Sequence, residues 1–214
     1  DKGLYRIVAE AEETAERLGT EEARAFARNG RSCVESLAGY CGRYAEAARQ
    51  HARGVPAESR VFLQRAATAL EHVPARPARN FIEALHAVWT VHFVMSCVVG
   101  ARDFAYGRMD QYLLPFLRKD LADGSLSRDE AELYLAHFLL KNNEITGLCS
   151  NHHKGKPIPS KASKIYIVLA GSGPAGADES NELSALILDA ACHAGMPEPV
   201  LNVRFAPATP RAFK

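Results

Sequence analysis

Arg102-Asp103-Phe104 sets a guanidinium, a carboxylate and an aromatic ring side by side. They stand where the most apolar stretch of the chain, Phe81 to Val99, comes to an end. A guanidinium so placed can grip a carboxylate or another anion through two parallel hydrogen bonds. Charge at the end of a buried helix is costly unless it is paired or used. The residues therefore allow two readings: a local ion pair at a helix exit, which is the commoner arrangement, or the wall of a pocket for an anionic small molecule. Just beyond lies Tyr106-Gly107-Arg108-Met109-Asp110-Gln111-Tyr112-Leu113-Leu114-Pro115, which combines a glycine turn, a buried-prone Arg/Asp pair and a Tyr/Leu apolar face.

A second candidate is Gly171-Ser172-Gly173-Pro174-Ala175-Gly176, a GxGxxG between a strand-like run and a helix-like run. That setting is the one a dinucleotide-binding loop requires, so NAD, NADP or FAD binding and an oxidoreductase is the alternative function. Against it, Ala177-Asp178-Glu179-Ser180-Asn181-Glu182 follows, and carboxylates at a helix start repel a pyrophosphate. The next strand ends at Arg204 and offers no acidic ribose ligand, although an arginine suits a 2′-phosphate.

The remaining chemistry-bearing residues read plainly. His152-His153 near Cys149 lacks further ligands at metal spacing, and adjacent histidines point apart, so no metal site is expected. Cys33, Cys41, Cys97, Cys149 and Cys192 form no CxxC and read as reduced thiols in a cytoplasmic protein. Cys97 shows no neighbouring cation that would lower its pKa. His86 and His92 are expected to be core histidines bonded to backbone.

Elements must hold these residues in place. Leu4 to Leu18 is amphipathic. Thr20 can cap a second helix with Glu21 and Glu22 in its first turn, along an apolar line of Phe26, Cys33, Leu37, Cys41, Tyr44 and Ala48. Gly30, Gly39 and Gly42 predict tight packing or a kink in it. Pro56 opens a third helix ending near His72, and Pro74 and Pro77 predict an extended linker. Phe81–Val99 is apolar enough to invite a membrane reading, but Glu83, His86 and His92 argue for a buried helix instead. Ser127-Arg128-Asp129-Glu130 is a capping box, with Leu126 as its staple, for a helix to about Asn142. Residues 151–164 read as a polar loop. Ile165–Ala170 is a buried strand, Asn181–His193 a helix and Pro199–Phe205 a second strand, giving a parallel, right-handed βαβ unit.

The fold class is thus α/β, with 1–150 mainly helical and 160–214 supplying βαβ strands. The net charge of +1 argues against a nucleic-acid partner. Asp1 in place of a methionine, and a Pro210–Lys214 end that reads as internal sequence, suggest a piece of a longer protein. A helical interaction module without chemistry is a third possibility, and it predicts no strand at Ile165–Ala170.

Several segments, in order, resemble the pyruvate formate-lyase-like glycyl radical enzymes. Gly3-Leu4 with its helix, Arg43-Tyr44-Ala45-Glu46-Ala47-Ala48 and the Val73-Pro74 to Trp89 run are similar to the family's N-terminal blocks. Gly107-Arg108-Met109-Asp110-Gln111-Tyr112 matches its Gly-Arg-x-Asp-Gln-Tyr, followed by Asp120-Leu121 and Gly124. Leu169-Ala170-Gly171, Gly176, Asp178 and Asn181-Glu182-Leu183 resemble its strand-to-helix turn, and Pro199–Arg204 its next strand. The resemblance implies that 1–214 is part of one such domain, contributing to a ten-stranded α/β barrel that shields a radical. It implies a small-molecule substrate, a homodimer at full length, and a radical-activating enzyme that uses S-adenosylmethionine and an iron–sulfur cluster to install a glycyl radical. Both radical-bearing loops would lie outside this chain, so no catalytic residue, metal or cofactor is assigned here, and the piece alone would be inactive. Diol-dehydrating members often carry Asn-Gly-His-Ser before this block. Arg102 and Asp103 stand there instead, which favours an anionic or otherwise different substrate bound by Arg102, Asp103 and Phe104. Arg108 and Asp110 read as structural, tying the turn to neighbouring helices.

Overall fold

The computed structural model describes residues 2–100, 104–150 and 165–213. Arg102, Asp103 and the His152-His153 pair lie outside the described residues. The chain divides into two compact units, Asp1–Val88 and Trp89–Lys214.

The first unit is built from helices α1 (Gly3–Leu18), α2 (Glu21–Ala52) and α3 (Ala57–Leu70) and enters α4 (Phe81–Phe93). Thr20 caps α2 as expected, its hydroxyl accepting from the Ala23 N–H at 3.2 Å. α2 nevertheless runs unbroken over 32 residues. A Cβ at Gly30, Gly39 or Gly42 would meet nothing within 4 Å, so these glycines mark neither a kink nor a close approach. Gly3 is different: its φ is +66°, and a Cβ there would fall 2.5 Å from the Arg76 carbonyl carbon. That approach lets the Pro74 and Ala75 carbonyls accept the first N–H groups of α1, from Leu4 and Tyr5, each at 3.0 Å. The segment around Pro74 is therefore a compact turn with a cis Val73–Pro74 bond rather than an extended linker. Arg31 and Glu12 join α2 to α1 through bonds of 2.6 and 2.5 Å.

Asn80 caps α4 by accepting the Glu83 N–H at 2.8 Å, and buried Glu83 is held by the Arg79 N–H and guanidinium. Phe81–Val98 is the one stretch among the described residues long and apolar enough to cross a membrane by composition. It carries buried Glu83 and His92.

In the second unit α4 passes into a π-helical turn, Val94–Val98. Three parallel strands follow: β1 (Ala105–Arg108), β2 (Tyr166–Ala170) and β3 (Val200–Arg204), in the order β1-β2-β3. β2 and β3 fall where their apolar runs predict. β1 was expected to be only a glycine turn. It pairs with β2 through a register shift at Tyr106, where Gly107 takes a φ of +66°. A strand at Tyr166–Ala170 excludes the purely helical module.

Between β1 and β2 lie α5 (Met109–Tyr112), α6 (Leu114–Asp123) and α7 (Arg128–Ser150). The Ser127–Glu130 box is present, with the Glu130 N–H donating to Ser127 Oγ at 3.2 Å and the Ser127 N–H to the Glu130 carboxylate at 3.0 Å. α7 continues well past Asn142, because Asn142 is buried and turns its amide back onto the Phe138 carbonyl at 2.7 Å instead of ending the helix. α8 (Glu182–Ala194) joins β2 to β3 and ends at Gly195 with a φ of +59°. The core beneath the sheet is formed by Ile165, Ile167, Leu169, Leu183, Leu186 and Ile187.

Candidate functional site

At the C-terminal ends of the strands, two sequence blocks interlock. β1 delivers Arg108, Asp110 and Gln111 to that end, because the left-handed Gly107 turns the chain directly from strand into α5. The Asp110 carboxylate is fully buried, and its Oδ2 accepts from the Ala170 N–H at 2.6 Å and from Ser184 Oγ at 2.5 Å. Asn181 donates to the Asp110 carbonyl at 3.3 Å, and Gln111 donates to the Glu179 carbonyl at 2.8 Å. Arg108 pairs with Glu179, and Arg118 grips Glu182 through bonds of 2.5 and 2.9 Å. Arg108 and Asp110 are therefore structural, as read, but Asp110 ties down the end of β2 and the start of α8 rather than merely steadying helices.

This interlock also weighs against the glycine loop as a nucleotide site. Gly173 donates its N–H to the Ala177 carbonyl and Gly176 to the Gly173 carbonyl, each at 2.9 Å. A Cβ on Gly173 would run into the Glu179 carboxylate, so a negative charge covers the loop. The N-terminus of α8 is already satisfied, because Asn181 Oδ1 accepts from the Leu183 and Ser184 N–H groups at 2.9 and 3.1 Å. The N–H groups of Gly173, Gly176, Leu183 and Ser184 are thus already in use.

At the other end of β1, an aromatic cluster surrounds Phe104, the described member of the sequence-predicted site. Its carbonyl accepts the Tyr166 N–H at 3.0 Å, which fixes it to the start of β2. Its ring packs against His92 at 4.6 Å and Tyr106 at 6.0 Å between centroids. Tyr106 also meets His92 at 4.8 Å and Phe138 at 5.1 Å, and Trp89 meets Phe138 edge-on at 6.4 Å. The Tyr106 hydroxyl donates to Asn142 Oδ1 at 2.7 Å, and the Tyr112 hydroxyl to the Tyr106 carbonyl at 3.1 Å. Burial pushes both tyrosines well above their ordinary pKa.

His92 departs from expectation. It is 1% exposed, and burial pushes its pKa down to about 4. It does not bond to backbone: Nε2 lies 3.5 Å from Ser96 Oγ, and Nδ1 has no hydrogen-bond partner. Sequence reasoning missed this arrangement, although a His and a Ser four apart on an apolar helix were its visible signal.

Elsewhere, a groove of about 660 Å³ between α2 and α3 is lined by Arg49, Arg53, Arg60, Gln64 and Thr68. Arg49 pairs with Glu71, and Arg60 donates to the Ala52 and Val55 carbonyls at 3.2 and 3.3 Å, so these two cations serve the end of α2. No cluster of three or more metal-ligating side chains occurs among the described residues. Among the described thiols, Cys41 is buried with its pKa pushed up by desolvation, Cys97 is half-buried in the π-helical turn, and Cys33 and Cys192 are exposed on helices.

Comparison with known proteins follows the same lines. The family model for "Pyruvate formate lyase-like" proteins matches residues 1–214. The trans-4-hydroxy-L-proline dehydratase of Clostridioides difficile is 32% identical over 184 residues, covering 80% of this chain and 22% of that protein. The indoleacetate decarboxylase of Tractidigestivibacter scatoligenes is 30% identical over 173 residues, covering 80% of this chain and 19% of the relative. Among solved structures, a glycyl radical enzyme from Archaeoglobus fulgidus superposes with a TM-score of 0.83 at 27% identity, covering 99% of this chain and 28% of that one. The chain thus spans about a fifth of the curated relatives it matches.

Proposed function

This chain belongs to the pyruvate formate lyase-like family, whose members include glycyl radical enzymes, and from that premise we propose that it forms the helical entry and first wall strands of such an enzyme. The observation that carries this reading is the parallel β1-β2-β3 sheet locked at its C-terminal ends by Asp110 and Asn181, in the two blocks on which the resemblance rests. A wall strand of a closed barrel needs that lock, because β2 must be fixed between two neighbours in register.

In this reading the three strands are part of a ten-stranded barrel, and residues 1–214 are part of one domain. The barrel keeps water away from a radical intermediate. The glycyl and thiyl loops come from outside this chain, so these residues shape the site and carry no radical themselves. The full-length enzyme is a cytoplasmic homodimer. It is charged by an activating enzyme that uses S-adenosylmethionine and an iron–sulfur cluster, and it cleaves a carbon–carbon or carbon–heteroatom bond of a small molecule. Arg102, Asp103 and Phe104 form part of the substrate wall. The two curated relatives described above are named for trans-4-hydroxy-L-proline and indoleacetate, both carboxylates. That supports an anionic substrate gripped by Arg102.

The test uses the full-length protein, activated without oxygen and examined by electron paramagnetic resonance. A glycyl radical signal is expected, and its absence under conditions that activate a relative refutes the reading. Arg102→Ala should weaken binding of the carboxylates and leave glycerol unaffected. Equal affinities in variant and parent would remove the anion assignment.

A further inference from the structure

The groove between α2 and α3 lies wholly within the first unit. Its volume of about 660 Å³ falls inside the roughly 300–1,000 Å³ that small-molecule sites occupy. The end of α2 presents Arg49, Ala52 and Arg53 to it, and α3 presents Arg60, Gln64 and Thr68, which are spaced four apart on one helix face. Three guanidiniums therefore share one recess, and no carboxylate is among the described residues that line it. Like charges gathered in this way repel, and walls of one sign concentrate their field on a counter-ion.

The end of α2 does not need all three. Arg60 serves the Ala52 and Val55 carbonyls, and Arg49 is tied to Glu71. The backbone N–H of Arg53 closes the helix on the Gln50 and His51 carbonyls, but its guanidinium meets no partner among the described residues. The side-chain amide of Gln64 likewise meets none. A guanidinium carries more N–H donors than the two that Arg49 and Arg60 each commit to these partners. Both are thus held in place with donors to spare, and such preorganisation lowers the entropic cost of binding. The rest of the lining is small or polar: Ala52, Gln64 and Thr68. No aromatic ring or large aliphatic side chain is there to receive a nucleobase, a lipid chain or an aromatic acid. The recess suits a compact molecule with negative charge at more than one point, each charge gripped by a guanidinium fork.

We propose that this groove is a binding site for a compact polyanion, a small molecule bearing two or more phosphoryl or carboxyl groups. The proposal stands apart from the barrel and its radical chemistry, because every residue it uses lies in the helical unit.

Calorimetric titration of the full-length, unactivated protein with inorganic pyrophosphate and with citrate tests it at low ionic strength. Saturable binding of at least one is expected, weakening as sodium chloride is added. Binding of pyrophosphate alone assigns phosphoryl groups, binding of citrate alone assigns carboxyl groups, and binding of both assigns a site that reads charge and size. Gln64→Glu sets a carboxylate among the three guanidiniums without removing any hydrogen bond of that side chain. It should lose about tenfold or more in affinity, and so should Arg53→Ala. The melting midpoint of Gln64→Glu without ligand should equal or exceed that of the parent, because the repulsion among the arginines is relieved. Arg17→Ala, which removes an exposed arginine of α1, should stay within about twofold of the parent. The proposal is overturned if neither anion binds the parent, or if Gln64→Glu or Arg53→Ala binds as the parent does. It is equally overturned if Arg17→Ala loses as much as Arg53→Ala, or if Gln64→Glu lowers the melting midpoint. Binding of a polyglutamate peptide in the absence of binding by either small anion would also overturn it, by making the groove a protein-docking surface.

Discussion

Replacing Asp110 with alanine removes the acceptor on which two buried donors depend. The Ala170 N–H and the Ser184 hydroxyl both end on Oδ2, at 2.6 and 2.5 Å, and both residues are fully buried. Water cannot reach either donor once the carboxylate is gone. Each stranded group costs about 1–3 kcal/mol, so Asp110→Ala should destabilise by about 2–6 kcal/mol. That is a large part of the roughly 5–15 kcal/mol by which a domain is stable. Asp110→Asn keeps an oxygen in place and loses only the assistance of charge, so it should cost about 1–2 kcal/mol. Urea unfolding followed by circular dichroism measures both. Combining Asp110→Ala with Ser184→Ala should cost less than the sum of the two single changes by about 0.5–3 kcal/mol, because they remove the two ends of one bond. A loss below about 1 kcal/mol for Asp110→Ala, or strict additivity in the double variant, would refute the claim that this carboxylate locks the sheet.

Three further outcomes follow from the geometry. Gly107→Ala should destabilise by about 1–2 kcal/mol in the same unfolding assay, although nothing crowds the position, because an L-residue is strained at its φ of +66°. Asn181→Ala should cost about 0.5–2 kcal/mol and lower the helical circular dichroism signal, since it removes the acceptor for two N–H groups of α8. His92 has a folded-state pKa depressed from 6.5 to about 4, so the unfolded chain takes up its proton first. Its contribution is then fully present above pH 6.5 and is lost as the pH falls towards 4. Urea midpoints measured across that window should fall less steeply in His92→Phe than in the parent. His86, whose pKa burial also lowers to about 4, titrates in the same window, and Glu83, pushed up by burial but held below its ordinary 4.5 on balance by Arg79, titrates at its lower edge; both are present in parent and variant and cancel in the comparison.

Local rules made much of this fold legible. Thr20 and Ser127 announce their helices because a short oxygen-bearing side chain satisfies N–H groups that the helix itself cannot. The β-branched run Ile165–Val168 announces β2 in the same local way. β1 was illegible because Ala105-Tyr106-Gly107-Arg108 has no intrinsic strand preference. It is a strand only because β2, some sixty residues away, offers it a ladder. The extent of α7 was misjudged at Asn142, whose partner Tyr106 is equally remote. The site shows the same division. Phe104 was singled out from its place beside charged neighbours, while the packing of His92 against Phe104 and Tyr106 depends on atoms that separate segments bring together, and no local pattern records that.

The bond from Ala170 to Asp110 links residues sixty positions apart, and that to Ser184 spans seventy-four. Chain segments so distant must meet before either bond exists, and the entropy of closing so long a loop is spent before anything is gained. The end of β2 should therefore order late, after the helices on either side. Because the Ala170 amide donates to a side chain rather than to a neighbouring strand, its deuterium uptake follows the state of that distant closure alone. A single slowly exchanging proton would then time the moment at which this half of the molecule shuts.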